Sequence, residues 1–488
     1  MTNIAHIQLN IEATVKGYEQ IAQNPIAEAK LKAYALTELS EILLQFKHYD
    51  PNEADKVIQM LEMSFQLLPI NDAKIARIFE ELSWIYYFFK GDLEKRVSYA
   101  KKLQEWAENR KDAYSIIHAY SHLKSVYGMF GDWKEALYFT SKGLHIIESS
   151  TDRNLLGTRF KGINQRGLIE AGLYKEAEIG SHEMLQHSLQ VNDTEATAAS
   201  SGQLALIVGL QRKYAQSKNY FDDALNFFER TGVLRYIAEV TGNQGRILVN
   251  QNLLNNAENI FTRALQLRVE SHDKVHIPES LVSNGKLEEI RYNYEKAEQY
   301  YRDELDNYRW TARHHYECEA LVGMARVKYA QGKLTDIPDL MAEAETLAQE
   351  YEYNDHLAAL RLLQGHLAWE QDPASVFFFY QQALIYALRY NRFCLDEILF
   401  GDNIPTPYQP LIPFCLQRGK DGRNTLRRLK AFWQTGANDV GQPRPDTISP
   451  IPENIPLLDA ERLAREREPG DGSPQMPVTE RLGSVLQE

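Results

Sequence analysis

The sequence predicts an all-α protein, a right-handed α-solenoid of stacked helical hairpins, and three observations carry that expectation. The stretch Gly131-Asp-Trp-Lys-Glu-Ala-Leu137 returns as Gly172-Leu-Tyr-Lys-Glu-Ala-Glu178. The small residue near its end, Ala136 or Ala177, recurs in register as Ser217, Ala257, Ala297, Ile337 and Val376, and one step earlier as Arg96. The intervals are 40, 41, 40, 40, 40, 40 and 39. A fixed period in this range, with helical patterning on both sides of a short turn, marks a unit that buries its apolar face only against its neighbours. Small residues also return at Ala205, Gly245, Gly285 and Ala325. Glycine inside a helix costs about 1 kcal/mol against alanine, so its regular use points to close helix packing at that layer.

Composition bounds the rest. The chain has 488 residues, 44% hydrophobic and 25% charged, as in an ordinary folded protein. Its net charge of −13 argues against a surface built for nucleic acid, which wants a basic field. Cys318, Cys394 and Cys415 are odd in number and widely spaced, which suits reduced thiols rather than disulfides or a zinc site. Met1-Thr-Asn-Ile-Ala-His lacks the basic lead and apolar core of a signal peptide, and no run approaches 18 apolar residues. The expected location is cytoplasmic, with no membrane contact.

Residues 1–72 read as helices over 11–22, 27–46 and 53–67, with Pro51 near the start of the third, where its missing N–H costs little. Ala54 stands 42 before Arg96, so this segment is either a degenerate repeat or an N-terminal cap. Residues 73–390 form the array, about eight units of forty residues. First helices end at Gly91, Gly131, Gly172 and Gly332, and second helices open just beyond. Apolar positions follow helical spacing, as in Phe221, Ala224, Leu225 and Phe261, Ala264, Leu265.

Tyr120, Leu123 and Tyr127 in one helix, then Gly131, Ala136 and Gly143, resemble a tetratricopeptide repeat (TPR). The units with Ala205, Phe221 and Ala224, and with Gly245, Ala257, Phe261 and Ala264, resemble it too. Forty-residue units are similar to the longer-helix variants of maltose-regulator-type activators and Rap-type peptide receptors. The resemblance implies a binding scaffold. Arg96 and Ile337 depart from it at the small position, and Arg212, Asn252 and Tyr292 at the turn glycine.

The last array helix, Val376-Phe-Phe-Phe-Tyr380 through Leu388, is too apolar to face water, whereas terminal repeats normally carry a polar outer side. Residues 391–436 are expected to cover it with helices over 393–400, 408–416 and 423–433. Twelve of the eighteen prolines fall in residues 405–488. Residues 437–488 read as a Pro-, Gly- and charge-rich mobile tail with one short helix over 457–467. Its Asp459, Glu461, Glu466 and Glu468 would complement a basic groove.

Among constellations that could carry chemistry, Asn284-Gly-Lys286 and Gly419-Lys-Asp-Gly422 lack phosphate-loop spacing. His118 and His122 stand at i, i+4, but His-Ala-Tyr-Ser-His has no glutamate where a zinc protease needs one, and no third ligand is apparent. His272 and His276 share the spacing across an inter-repeat loop. No metal and no cofactor are expected. A sharper pattern lies one residue past each small position of the first helices: Arg166, Leu206, Arg246, Lys286 and Arg326. The resemblance implies that this position lines the concave groove. Gln203, Asn243 and Ser283, three residues earlier, can bond an extended backbone. Such a ladder suits a carboxylate-rich peptide or phosphates. Glu239, Glu279 and Glu319 form a parallel acidic ladder seven residues before the basic one, about 10 Å away on the same helix. Between neighbouring helices the two could instead pair and fix the stacking. Both readings stand. A second cluster, Arg418, Lys420, Arg423, Arg427, Arg428 and Lys430 with Trp433, suits an acidic partner or a solvated helix face.

The leading functional expectation is a non-catalytic sensor or adaptor in bacterial signalling or defence, holding an acidic protein or peptide in its groove. By resemblance, the alternatives are a Rap-like modulator of a response regulator and the sensor arm of a multi-component ATPase switch. Against an enzyme stands the lack of any visible cluster of nucleophile, base and orienting group.

Overall fold

The computed structural model describes residues 2–46, 51–111, 113–149, 168–169, 172–271, 273, 275–311, 313–401 and 410–435. The expected helix over 457–467, the tail and Arg166 lie outside the described residues. The described residues form an α-solenoid without strands. Before the array come α1 (Thr2–Gln23), α2 (Ala29–Phe46) and α3 (Pro51–Leu67). The hairpins then run α4 (Lys74–Phe88) and α5 (Leu93–Arg110), followed by α6 (Ala113–Phe130) and α7 (Trp133–Ser149). Past the helical residues Leu168 and Ile169 comes α8 (Tyr174–Gln190). The series continues as α9 (Thr194–Leu210), α10 (Tyr214–Thr231), α11 (Leu234–Asn250), α12 (Leu254–Glu270), α13 (Ile277–Ile290), α14 (Tyr294–Thr311), α15 (His314–Ala330), α16 (Ile337–Glu350), α17 (Asn354–Gln371) and α18 (Val376–Tyr390). It ends with α19 (Arg392–Phe400), α20 (Leu411–Gln417) and α21 (Gly419–Thr435).

The forty-residue register is a burial register. Ala54, Arg96, Ala136, Ala177, Ser217, Ala257, Ala297, Ile337 and Val376 are all buried. The glycines of the first helices accept a ring from the second helix. A Cβ on Gly245 would come within 2.4 Å of Phe261, and one on Gly285 within 2.7 Å of Tyr301. The Tyr301 ring also fills the space at Gly323 of the next unit, which ties two repeats together.

The turns from first to second helix use one residue in the left-handed region at seven places, whereas the turn from α17 to α18 runs through an extended Asp372 and a short 3-10 turn over Pro373–Ser375. Glycine serves at Gly91, Gly131, Gly172 and Gly332, while Arg212, Asn252 and Tyr292 take the same conformation with φ of 67°, 59° and 63°. The departures from the turn glycine are thus departures in residue and not in geometry. A bulky side chain pays about 1 kcal/mol or more to sit there. Tyr292→Gly is therefore expected to stabilise the chain by about 1 kcal/mol. The midpoint of urea unfolding checks it, and a lower midpoint would contradict it.

Each first helix packs along its own second helix. Successive first helices (α9 on α11, α11 on α13, α13 on α15, α15 on α17) also touch, whereas successive second helices stand further apart. That asymmetry bends the array and puts the first helices on the concave side. The bend brings distant units together. Tyr353 Oη, at the start of α17, donates to the Gly131 carbonyl at 2.8 Å. Phe88 of α4 stacks on His276 at 6.1 Å between centroids, and the Arg235 guanidinium lies 4.4 Å from the Phe88 ring. The inner wall therefore closes on its own early repeats.

At the far end, α18 shares one apolar cluster with Leu395, Ile398 and Leu399 of α19, Leu411 and Phe414 of α20, and Leu426 and Phe432 of α21. Among the described residues no helix is long and apolar enough to cross a membrane.

Candidate partner-binding inner wall

The inner wall is the concave row of first helices, and its charges are held in two interlocking ways. Lys286 of α13 reaches forward to Glu319 of α15, Nζ to Oε2, at 2.9 Å. Arg326 of α15 reaches back to Glu289 of α13 and grips both oxygens, Nε to Oε1 at 2.7 Å and Nη2 to Oε2 at 2.9 Å. Glu289 also accepts the Tyr301 hydroxyl at 2.7 Å. Bidentate arginine–carboxylate pairs out of water are stiff, so these bonds fix the spacing of α13 against α15. Burial alone would raise Glu319, but Lys286, His356 and Arg326 outweigh it and hold the carboxyl well below its usual range.

The other residues of the two ladders have separate surroundings. Leu206 is buried, and Arg246 is half-buried within electrostatic reach of Tyr174 and Tyr390. Glu279 does not face the groove partners: it is buried against Arg268, at 2.9 Å. Asn243 and Ser283 are half-buried, and the Gln203 carbonyl oxygen has no donor. The secondary basic patch is divided. Arg423 and Arg427 are exposed and Lys430 half-buried, while Arg428 lies over the Phe377 ring at 4.2 Å and Arg418 meets Glu370 at 2.6 Å.

Sequence reasoning missed the histidine-rich part of the wall, where the array closes. His118 bonds Glu80 at 3.2 Å and His122 bonds Ser83 at 3.0 Å, so that pair diverges. Three other histidines begin successive inner helices, His276 ahead of α13, His315 in α15 and His356 in α17. Their spacings of 39 and 41 residues were the available signal, invisible to a search for i, i+4 pairs. His276 Nδ1 lies 2.8 Å from the Asp273 carboxylate. His315, Asp355 and His356 gather their ring nitrogens and carboxylate within 4.8 Å of one another.

Burial dominates the titration of this interior. It draws His122 down to about 4 and Lys124 to about 7, and raises Glu81 to about 7 against the pull of Arg77. His122 and Glu81 act in opposite senses. Between pH 4 and 6.5 the unfolded chain binds a proton at His122 that the folded chain refuses, so this contribution is complete above pH 6.5 and is lost as pH falls towards 4. Glu81 binds its proton in the folded state first, so its contribution is lost as pH rises towards 7. The two slopes offset each other in the wild type. Removing one exposes the other: in His122→Asn the Glu81 slope stands alone, so the variant should gain up to about 2 kcal/mol on the wild type as pH falls from 6.5 to 4.5. Urea unfolding of both proteins across that range checks it, and parallel curves would contradict it.

Residues 168–373 match the family model described as the MalT-like TPR region. A crystal structure of a Rap protein complexed with Competence and Sporulation Factor has a similar fold. Its TM-score is 0.56 at 14% identity, covering 74% of this chain and 98% of that one. Yeast Tom70 overlaps more loosely, with a TM-score of 0.36 at 14% identity over 82% and 88% of the two chains. The human IFIT1 dimer with m7Gppp-AAAA gives 0.40 at 12% identity over 87% and 90%. No curated protein matches the chain in sequence. The described fold is a TPR-like helical-repeat solenoid, and residues 168–373 carry the match to the MalT-like TPR region.

Proposed function

We propose that this protein is a non-catalytic sensor or adaptor that receives an acidic protein segment or peptide on the inner wall, in bacterial signalling or defence. The observation that carries this reading is Lys286. Its ammonium belongs to the concave layer and meets Glu319, yet 44% of its side chain stays open, so an incoming carboxylate can share it. Arg246 stands one repeat earlier in the same register. Arg326, locked on Glu289, supplies alignment for the row and not a free charge. Because the wall closes on the Gly131 turn, a ligand must either thread the enclosed space or displace that contact. Binding would thereby change the shape of the array, which is what a sensor requires.

The test is fluorescence anisotropy with a panel of acidic, neutral and basic peptides, together with thermal unfolding. Acidic peptides should bind, raise the midpoint and weaken with salt. In Arg246→Gln/Lys286→Gln, folded by circular dichroism, affinity should fall at least tenfold. Equal binding by all three classes, or unchanged affinity in the double variant, would refute the reading. Ending the chain at residue 436 asks whether the acidic tail competes: tighter peptide binding by the shortened chain is expected if it does.

A further inference from the structure

We propose that His315, Asp355 and His356, with Glu319 beside them, form a site for one divalent transition-metal ion where the inner wall meets the Gly131 turn. The repeat itself assembles it. His315 is the second residue of α15, Asp355 and His356 are the second and third of α17, and stacking sets the starts of these two helices side by side. Glu319 lies one turn further along α15 on the same face.

Three features favour an ion. The first is spacing. His315 Nε2 is 3.7 Å from Asp355 Oδ2, and His356 Nδ1 is 3.6 Å from Asp355 Oδ2 and 3.9 Å from Glu319 Oε2. Ligands at the ordinary zinc distance of about 2.0–2.1 Å stand about 3.3 Å apart in a tetrahedron, so each pair need close by only about 0.3–0.6 Å.

The second is the direction of the lone pairs. His356 Nε2 faces the His315 backbone carbonyl at 3.3 Å. A carbonyl can only accept, so Nε2 carries the hydrogen, and in the neutral ring Nδ1 offers a lone pair. That lone pair points at two carboxylate oxygens. The ring is buried. An ion held between that nitrogen and the carboxylates would bind all three groups at once. Lys286 serves Glu319 Oε2 at 2.9 Å, and Asp355 has no ion pair with lysine or arginine among the described residues. An Nε2–H bond to a backbone carbonyl is also the usual support that orients a metal-binding histidine.

The third is donor type. Two imidazole nitrogens with one or two carboxylates suit zinc, iron, manganese, cobalt or nickel, and not magnesium or calcium, which take oxygen alone.

Occupancy would act on the closure of the array. The Tyr353 ring stands edge-on to His315 at 5.1 Å and to His356 at 5.7 Å, and its hydroxyl holds Gly131. An ion that draws the two imidazoles together fixes the residue that joins the two ends of the curl.

The test uses the full chain without an affinity tag, stripped by chelator and titrated calorimetrically with Zn2+ alone and with Mn2+ alone. One ion per chain should bind, and the unfolding midpoint should rise. His356→Ala and Asp355→Asn should each lose at least tenfold in affinity, while His118→Ala should bind as wild type. Should His356→Ala fail to fold, the near-isosteric Asp355→Asn decides. Absence of saturable binding by the folded, stripped chain overturns the proposal, as does binding that survives Asp355→Asn unchanged.

Discussion

Gly365→Ala is expected to cost about 3 kcal/mol and to loosen the C-terminal helices before the rest of the array. A Cβ at this position would stand 2.2 Å from the Tyr380 ring. Rings usually escape such a clash by turning, but this one is pinned. The Tyr380 hydroxyl accepts from Trp369 Nε1 and bonds His366 Nδ1, both at 2.9 Å. His366 is stacked in turn on Phe414 of α20, 3.7 Å between centroids. Displacing the ring therefore breaks the seam between α17, α18 and the helices that cover α18. Urea unfolding followed by Trp fluorescence reads the loss, and Gly365→Ala/Tyr380→Leu should recover part of it by removing the ring. A single-variant loss below about 0.5 kcal/mol would show that the layer yields freely.

Arg268→Met is expected to cost about 3–5 kcal/mol, because it strands a buried charge. Arg268 and Glu279 keep only 2% and 6% of their side chains exposed. The guanidinium gives Nη2 to Glu279 at 2.9 Å and Nη1 to Ser280 at 2.8 Å, and it also bonds the His276 carbonyl. It thus ties α12 to the opening of α13 and holds the loop that stacks on Phe88. Methionine fills much of the same volume and meets none of these groups. Adding Glu279→Gln should return about half of the loss, since the stranded carboxylate is most of the penalty. Chemical unfolding of the two single variants and the double variant gives the cycle. Additive losses would deny that the two side chains act as a pair.

How much of this was legible in the sequence depends on the range of the interaction. The period, the ring-on-glycine layer and the turns are local, repeated forty residues apart, and could be read from Ala136, Gly245 and Gly131. Even Arg212, Asn252 and Tyr292, which break the turn signature, sit where the register requires a left-handed residue. The basic row was legible as a pattern, but its partners were not. Lys286 takes a glutamate from the next first helix and Arg326 one from the first helix before, and the choice depends on how far α13 slides along α15. The closure was not legible at all. Tyr353 and Gly131 are 222 residues apart, and their meeting sums a small rotation at every repeat between them. The histidine and aspartate cluster depends on the same stacking, with only the spacing of His276, His315 and His356 to announce it.

Cross-linking across that closure tests the central claim most directly. Asp132, beside Gly131, lies within electrostatic reach of Tyr351, two residues before Tyr353. Burial disfavours the thiolates of the native cysteines, holding Cys318 and Cys394 well above the usual range and Cys415 at about 12. Asp132→Cys/Tyr351→Cys, treated with a short bis-maleimide, should give a fast cross-link within one chain at low protein concentration, and saturating acidic peptide should change its rate. A folded double variant that reacts at both cysteines yet never joins them would contradict an inner wall closed on its own early repeats.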